Sequence, residues 1–150
     1  MSETRNILLA EDDLEDVQVM LAALAEQKLA AKVDVVNDGA EALDYLFRQG
    51  RFATRKSGDP ILVLLDLMMP KVNGLEVLQR IKADEKLKTV PIVALTCMRE
   101  SAEVHRCYQY GVNAYVVKPI GFADFTNAVR QLGAFWATIN QTPLGSSQRT

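Results

Sequence analysis

The chain has few of the side chains that hold transition metals or form disulfides: of its 150 residues, one is histidine and two are cysteine. Cys97 and Cys107 form no Cys-x-x-Cys pair, and His105 has no partner at ligand spacing, so the sequence contains no zinc-site pattern. We expect both cysteines to be small buried side chains in the reduced state, as in a cytoplasmic protein. We expect His105 to lie on the surface of a helix.

Long apolar segments and clusters of basic residues are also missing. No 18-residue apolar stretch and no basic-then-apolar leader is present, which predicts neither a membrane span nor a signal peptide and favours a cytoplasmic location. With a net charge of −2, the chain lacks the basic surface typical of nucleic-acid-binding proteins. Hydrophobic residues make up 49% of the sequence, which is sufficient for the core of one globular domain.

Five short apolar runs alternate with five segments of helical periodicity. The runs predict strands at Ile7–Ala10, Val33–Val36, Ile61–Leu65, Ile92–Leu95 and Ala114–Val117. The helical segments are Leu14–Gln27, Ala40–Gln49, Gly74–Ala83, Ala102–Tyr110 and Phe122–Ile139. This alternation predicts an α/β fold, a doubly wound, flavodoxin-like, five-stranded parallel sheet with strand order 2-1-3-4-5 and five helices. In such a sheet, ligands bind between the carboxyl ends of the first and third strands.

Acidic residues stand directly after these two strands. Asp66 ends the most apolar run of the chain, and Glu11, Asp12 and Asp13 end the first one. Four carboxylates in one crevice repel one another unless a cation binds, and Mg²⁺ prefers a few carboxylates together with phosphate oxygens. An aspartate at this place can accept a phosphoryl group and form an acyl phosphate, because that transfer requires mainly alignment and charge neutralisation.

Two further polar side chains are predicted at the same edge of the sheet. Thr96 follows the fourth strand and Lys118 follows the fifth. A hydroxyl at a strand end is often a helix cap and a lysine is often a solvated charge, so each residue alone is weak evidence. On consecutive strand ends beside a group of carboxylates, both side chains can reach an oxygen of a phosphoryl group on Asp66.

This set of residues resembles the receiver domain of two-component response regulators. The matching residues are Glu11-Asp12, Asp66, Thr96 and Lys118-Pro119, within a domain over residues 5–140 that leaves 141–150 as a flexible or partner-contacting tail. The resemblance implies that Asp66 is the phosphoacceptor and that Lys118 pairs with the phosphate. It also implies a cis peptide bond before Pro119 and a switch pair, in which Thr96 moves onto the phosphate and Tyr115 follows inward.

The resemblance further implies a set of magnesium ligands. Asp12, Asp66 and the backbone carbonyl of Met68 would bind Mg²⁺ directly, and Glu11 would act through the water molecules of the ion. Asp13 lies one position past the acidic pair, where we expect it to cap the first helix.

A narrower group of features is similar to the single-domain response regulators that are paired with bacterial phytochromes. These features are the long loop Arg51–Pro60, the segment DLMMPKVNGLEVL and the ending Phe135-Trp136. The implied partners are a sensor histidine kinase of the bacteriophytochrome type and a downstream target or phosphotransfer protein. The loop itself is either a mobile surface insertion or a contact element for a partner.

The end of the last helix predicts a homodimer contact. A helix over Phe122–Ile139 is longer than the strands it covers. We therefore expect the large apolar residues Phe135, Trp136, Ile139 and Leu144 to lie at an interface between two copies of the chain. In the alternative, Trp136 folds back over its own domain.

Three other classes of protein receive less support. A phosphatase of the haloacid dehalogenase type needs an aspartate two positions after the nucleophile, where this chain has Met68. A flavin- or nucleotide-binding module needs a Gly- or Ser/Thr-rich phosphate loop after the first strand, where this chain is acidic. A DNA-binding regulator needs an output domain after the fifth helix, and few residues follow it here. We therefore expect a phosphoacceptor signalling domain rather than an enzyme, with self-phosphorylation and slow self-dephosphorylation as its only chemistry.

Overall fold

The computed structural model describes residues 5–26 and 31–143, in which strands and helices alternate as the sequence predicts. The strands are β1 (Asn6–Ala10), β2 (Lys32–Val36), β3 (Leu62–Leu65), β4 (Ile92–Thr96) and β5 (Ala114–Val117). The α-helices are α1 (Leu14–Glu26), α2 (Gly39–Phe47), α3 (Gly74–Lys82), α4 (Ser101–Gln109) and α5 (Phe122–Ala134). A 3₁₀ turn at Gly50–Phe52 follows α2, and a π-helical turn at Phe135–Ile139 extends α5.

All five strands pair in parallel in the order β2-β1-β3-β4-β5, which confirms the predicted flavodoxin-like topology. Ala10 lies opposite Leu65, and Leu65 lies opposite Ala94, so the central strands end at nearly the same level. The residues that follow them therefore meet at one edge of the sheet. Within the described ranges, the longest apolar helical segments fall short of what a membrane crossing requires.

The core lies on both faces of the sheet. Alternate residues of β1 point to opposite faces: Leu8 packs on the side of α2 and α3, and Leu9 packs on the side of α1 and α5. β1, β3 and β4 are buried on both faces, whereas β2 and β5 are partly exposed at the edges. The helices thus fix the central strands, whose ends carry the acidic residues.

A close backbone approach places α3 against the end of β3. A Cβ atom on Gly74 would lie 2.5 Å from the Asp66 carbonyl oxygen and 2.6 Å from the Leu67 Cα atom, so any larger residue would push α3 away. The Gly74 amide donates a hydrogen bond to the Leu67 carbonyl at 3.0 Å. Asn73 caps α3, because its side chain accepts a hydrogen bond from the Glu76 amide. The segment after Asp66 is therefore held in a defined position.

The long loop after α2 is attached to the domain by two arginines. The Arg55 guanidinium stacks 4.0 Å from the Tyr45 ring centroid and donates hydrogen bonds to the carbonyl oxygens of Tyr45, Ser57 and Gly58. Arg48 donates to the carbonyl oxygens of Arg55 and Ser57. These contacts favour a folded element that can be presented to a partner over a freely moving insertion.

Two of the three predictions on the exposure of the cysteines and the histidine are confirmed. Cys107 is buried and His105 is exposed on α4, as predicted. Cys97 is exposed, contrary to the expectation that both cysteines are buried. The reason is its position one residue past the last buried residue of β4, where the chain leaves the sheet.

Candidate functional site

Three of the predicted carboxylates come together at the ends of β1 and β3. Each of Glu11, Asp12 and Asp66 offers an oxygen, and these oxygens all lie within 4.8 Å of one another. Glu11 and Asp66 are buried, with 1% and 7% of their surface exposed, and Asp12 is exposed. The sheet fixes the positions of these residues, because the Asp66 amide continues the pairing of β3 with β1 through a 3.0 Å hydrogen bond to the Ala10 carbonyl.

Lys118 brings a buried positive charge into this group. Its Nζ atom lies 2.6 Å from Glu11 Oε1, 2.8 Å from Asp16 Oδ2 and 3.2 Å from Asp66 Oδ2. Only 7% of its surface is exposed, and the backbone amide donates to the Thr96 carbonyl at 2.8 Å. An ammonium group has three N–H donors, and in this arrangement each has a carboxylate partner. The structure therefore joins Lys118 to the acidic cluster as the sequence predicts.

Asp16 belongs to the same group, although the sequence reasoning did not select it. It lies in the first turn of α1 and its side chain is 28% exposed. The Asp16 amide donates to Asp13 Oδ1 at 3.1 Å, so Asp13 caps α1 as predicted. This cap fixes the first turn of the helix. The capped turn places Asp16 Oδ2 2.8 Å from Lys118 Nζ, and no sequence pattern indicates this contact.

The titration of the buried groups reflects this crowding. Burial raises the pKa of the Glu11 carboxyl to about 7; the charge of Asp66 adds to the rise, while Lys118 opposes it. Burial disfavours the charged form of Lys118, but its hydrogen bonds to Asp16 and Glu11 and the charge of Asp66 raise its pKa above the ordinary lysine value. Lys118 therefore stays charged at neutral pH.

The donor set of the cluster suits a divalent cation. Glu11, Asp12 and Asp66 supply oxygen ligands, which Mg²⁺ and Mn²⁺ prefer, and together they carry more negative charge than Lys118 balances. Met68 lies two positions after Asp66, and its amide donates a 3.0 Å hydrogen bond to Asp66 Oδ1. The role of its carbonyl as a metal ligand stays a prediction.

Thr96 and Tyr115 lie on the neighbouring strands β4 and β5, where Thr96 pairs with Val117 and Tyr115 pairs with Ala94. Thr96 is fully buried, and its hydroxyl oxygen accepts a 3.4 Å hydrogen bond from the Met98 amide. The Tyr115 hydroxyl donates to the Met98 carbonyl at 2.7 Å, and its partly buried ring packs against the core on the α3 side. Burial raises the pKa of Tyr115 to about 12, so the hydroxyl stays protonated as a donor. Both side chains therefore hold the same residue, Met98, in the connection to α4.

One site expectation is wrong. The peptide bond between Lys118 and Pro119 is trans, not cis. The trans form is the more stable isomer of a bond to proline by roughly 0.5–1 kcal/mol, and Lys118 reaches all three carboxylates from it.

The residues chosen for a dimer contact have different surroundings. Phe135 and Ile139 are exposed, by 45% and 72%, on the π-helical turn after α5. Trp136 packs partly buried against the core of its own domain, which is the alternative arrangement, and its ring meets Phe135 edge to face at 5.3 Å. Leu144 lies outside the described residues.

Comparison with known proteins yields one family. The model of the response regulator receiver domain matches residues 7–130. Among curated proteins, the chain is 36% identical to the probable methanogenesis regulatory protein FilR2 of Methanothrix harundinacea (strain 6Ac), over 91% of this chain and 86% of that protein. It is 34% identical to the response regulator Rcp1 of Synechocystis sp. (strain ATCC 27184 / PCC 6803 / Kazusa), over 87% of each.

Three solved structures share the fold over nearly the whole chain. The phosphorylated cyanobacterial phytochrome response regulator RcpA superimposes with a TM-score of 0.89 at 33% identity, covering 94% of this chain and 99% of that one. The Mn²⁺-bound form of Rcp1 gives 0.88 at 32% identity, covering 93% and 99%. The bacteriophytochrome response regulator RtBRR gives 0.74 at 50% identity, covering 95% and 86%. With its matched domain, sheet order and acidic cluster, the chain belongs to the response regulator receiver domain family.

Proposed function

We propose that this receiver domain accepts a phosphoryl group on the Asp66 carboxylate from the phosphohistidine of a sensor histidine kinase, and signals through the resulting change in its protein contacts. The observation that carries the proposal is the environment of Asp66. Its oxygens lie beside those of Glu11 and Asp12 and within hydrogen-bond reach of the Lys118 ammonium. A nucleophilic carboxylate beside a positive charge and a cation-binding acidic pair is what phosphoryl transfer requires.

The chain's own groups orient the nucleophile. The Met68 amide binds Asp66 Oδ1 and the Lys118 ammonium binds Asp66 Oδ2, so the carboxylate is held at both oxygens. One of these oxygens forms the new bond to phosphorus, while the bond from phosphorus to the histidine nitrogen breaks and the imidazole leaves with the bonding electrons. A Mg²⁺ ion, held by Asp12, Asp66 and the Met68 carbonyl with Glu11 acting through water, would neutralise charge on the phosphoryl oxygens.

The signal would pass through Thr96 and Tyr115. A phosphoryl group adds about −1.5 to −2 of charge next to the end of β4, and it attracts the Thr96 hydroxyl as a donor. That movement withdraws the acceptor of the Met98 amide, while the Tyr115 hydroxyl binds the carbonyl of the same residue. Phosphorylation would therefore remove one of the two hydrogen bonds that hold Met98 in the connection to α4, and the surface of α4 and β5 would change with it.

Phytochrome kinases are the partners that the relatives favour. RcpA is described as a cyanobacterial phytochrome response regulator, and RtBRR is described as a bacteriophytochrome response regulator. The likeness to them supports a bacteriophytochrome as the phosphate donor and a downstream protein or phosphotransfer partner as the receiver of the signal. The protein would act in the cytoplasm, where its two free thiols stay reduced.

The proposal includes a homodimer built on the end of α5. Phe135 and Ile139 are large apolar side chains left exposed on a helical end, and Trp136 supports Phe135 from the core. Such residues are typical anchors of an interface, and the twofold pairing of two copies would cover them on both.

Mass spectrometry of the intact protein tests the phosphoacceptor. The chain is incubated with acetyl phosphate with and without Mg²⁺, and the expected result is one added phosphoryl group that requires Mg²⁺ and is lost in Asp66→Asn. An adduct of equal yield in Asp66→Asn, or none in the wild type, would refute the proposal. Transfer from an autophosphorylated bacteriophytochrome, compared with an unrelated histidine kinase, tests the choice of partner.

A further inference from the structure

Lys118 binds one more carboxylate than phosphoryl transfer needs. Two of its three partners are Asp66 and Glu11, which belong to the acidic cluster. The third partner, Asp16 on α1, is neither the proposed acceptor nor one of the proposed metal ligands, yet it lies 2.8 Å from the ammonium. Neither phosphoryl transfer nor metal binding requires this ion pair.

The three contacts differ in how readily they can be exchanged. Glu11 and Asp66 are fixed at strand ends, and their side chains are 2% and 8% exposed. The Asp16 side chain is 28% exposed and stands on a helix next to solvent. Water can replace Lys118 as the partner of Asp16 at small cost, whereas water reaches the buried Glu11 and Asp66 carboxylates poorly, so the loss of their contact with Lys118 costs more.

An incoming phosphoryl group needs an N–H donor of Lys118. It brings two negative charges, and the three donors of the ammonium are already bound. Because Asp16 has the most exposed of the three carboxylates, its contact is the one that the phosphoryl oxygen displaces at least cost.

We propose that Asp16 is a positioning residue that competes with the phosphoryl group for Lys118, and so limits how fast and how lastingly Asp66 is phosphorylated. This inference rests on the proposed function of Asp66. A supporting role for Asp16 is less compatible with the contacts, because Lys118 keeps its Glu11 contact at 2.6 Å and its backbone bond to Thr96 when Asp16 is removed.

The competition is tested with acetyl phosphate as the phosphoryl donor. In that reaction an Asp66 oxygen bonds to phosphorus, and acetate leaves with the electrons of the broken P–O bond. Asp16→Asn removes the competing charge and nearly preserves side-chain shape. The matched control is Glu15→Gln, the same change in charge on the preceding residue, which is exposed and is not among the described partners of Lys118.

We expect Asp16→Asn to raise the second-order rate constant of phosphorylation about three- to tenfold and to lengthen the life of the acyl phosphate, while Glu15→Gln changes both less than twofold. A ¹⁵N spectrum of the lysine ammonium groups, recorded without metal or donor, should show the Lys118 signal shifted in Asp16→Asn and unchanged in Glu15→Gln.

The opposite sign overturns the inference. If Asp16→Asn is phosphorylated no faster than Glu15→Gln, Asp16 does not compete for Lys118; if it is phosphorylated more slowly or loses its phosphoryl group faster, Asp16 supports Lys118. Asp16→Ser serves as a second variant if the asparagine variant has a lowered melting temperature. Failure of the wild type to become phosphorylated would instead refute the proposed function, so the two failures are distinguishable.

Discussion

The Lys118 ammonium lies 2.6 Å from the Glu11 carboxylate, so residues 107 positions apart in sequence form a buried ion pair at the edge of the sheet. The pair does not balance the site, because Asp12 and Asp66 add further negative charge. Burial, with the charge of Asp66 adding to it, raises the pKa of Glu11 to about 7 despite the contact with Lys118. Cation binding and pH should therefore affect stability together.

The first prediction is that Mg²⁺ stabilises the fold, and more so above neutral pH. Without the ion, the folded state keeps a proton on Glu11 that the unfolded chain loses above pH 4.5, so the free energy of unfolding falls as the pH rises from 4.5 to about 7. A cation needs the ionised carboxylate, so its effect grows over the same window. Thermal unfolding with and without Mg²⁺ at pH 6 and pH 8 measures this stabilisation. At a Mg²⁺ concentration 100 times its dissociation constant, we expect the free energy of unfolding to rise by about 2.7 kcal/mol.

Two variants separate the metal site from the helix cap. Asp12→Ala should lose most of the stabilisation by Mg²⁺, because it removes a ligand. Asp13→Ala should lower the baseline stability by about 0.5–2 kcal/mol, because Asp13 caps α1, but should keep the effect of Mg²⁺. A melting temperature that saturating Mg²⁺ leaves unchanged in the wild type would contradict the prediction.

The second prediction is a long-lived acyl phosphate. Met68 and Met98 stand two positions after Asp66 and Thr96, and neither thioether side chain orients a water molecule well. Met68 is 59% exposed, so a polar replacement can be accommodated there. We expect Met68→Asn and Met98→Glu to accelerate hydrolysis several-fold, measured as loss of the phosphoryl group after the donor is removed. Unchanged decay in both variants would show that the methionines only pack locally.

The third prediction concerns the dimer. Phe135→Ser and Ile139→Ser should each weaken self-association, because both residues are exposed on the π-helical turn after α5. Ile120→Ser is the control, since Ile120 is 97% exposed but lies before α5. Sedimentation equilibrium at tens of micromolar protein measures the self-association of each variant. A wild-type chain that sediments as a monomer would disprove the dimer, and equal weakening in all three variants would disprove its location.

The fourth prediction concerns the loop after α2. Arg55→Lys keeps the charge but loses the planar stack on Tyr45 and the forked hydrogen bonds to the loop carbonyls. We expect a loss of about 1–3 kcal/mol in the free energy of unfolding. Lys56→Ala is the control, because Lys56 is exposed, and should change stability by less than about 0.5 kcal/mol. Equal losses in both would mean that Arg55 does not hold the loop.

The parts of the site that could be predicted from sequence are those that strand periodicity places. Asp66, Thr96 and Lys118 each follow an apolar run, and in a parallel sheet such positions must meet at one edge. The helix cap formed by Asp13 could also be predicted from the sequence, because an aspartate directly before a helical segment is a local signal for a cap.

The sequence could not predict contacts that depend on the rotation of a helix about its axis or on the direction of the chain after a strand. Asp16 reaches Lys118 only because the first turn of α1 has a particular orientation, and 102 residues separate the two. The exposure of Cys97 depends on where β4 stops, which periodicity fixes only to within a residue or two. The arginines of the long loop bind backbone carbonyls, and such contacts leave no repeating pattern in the sequence.

The most direct test of the account is to locate the phosphoryl group on the chain. After reaction with acetyl phosphate and Mg²⁺, borohydride reduces an aspartyl phosphate to homoserine, and peptide sequencing by mass spectrometry then identifies the position. The account predicts homoserine at position 66 and at no other acidic residue. Homoserine at position 12, 13 or 16, or 5-hydroxynorvaline at position 11, with Asp66 intact would contradict it.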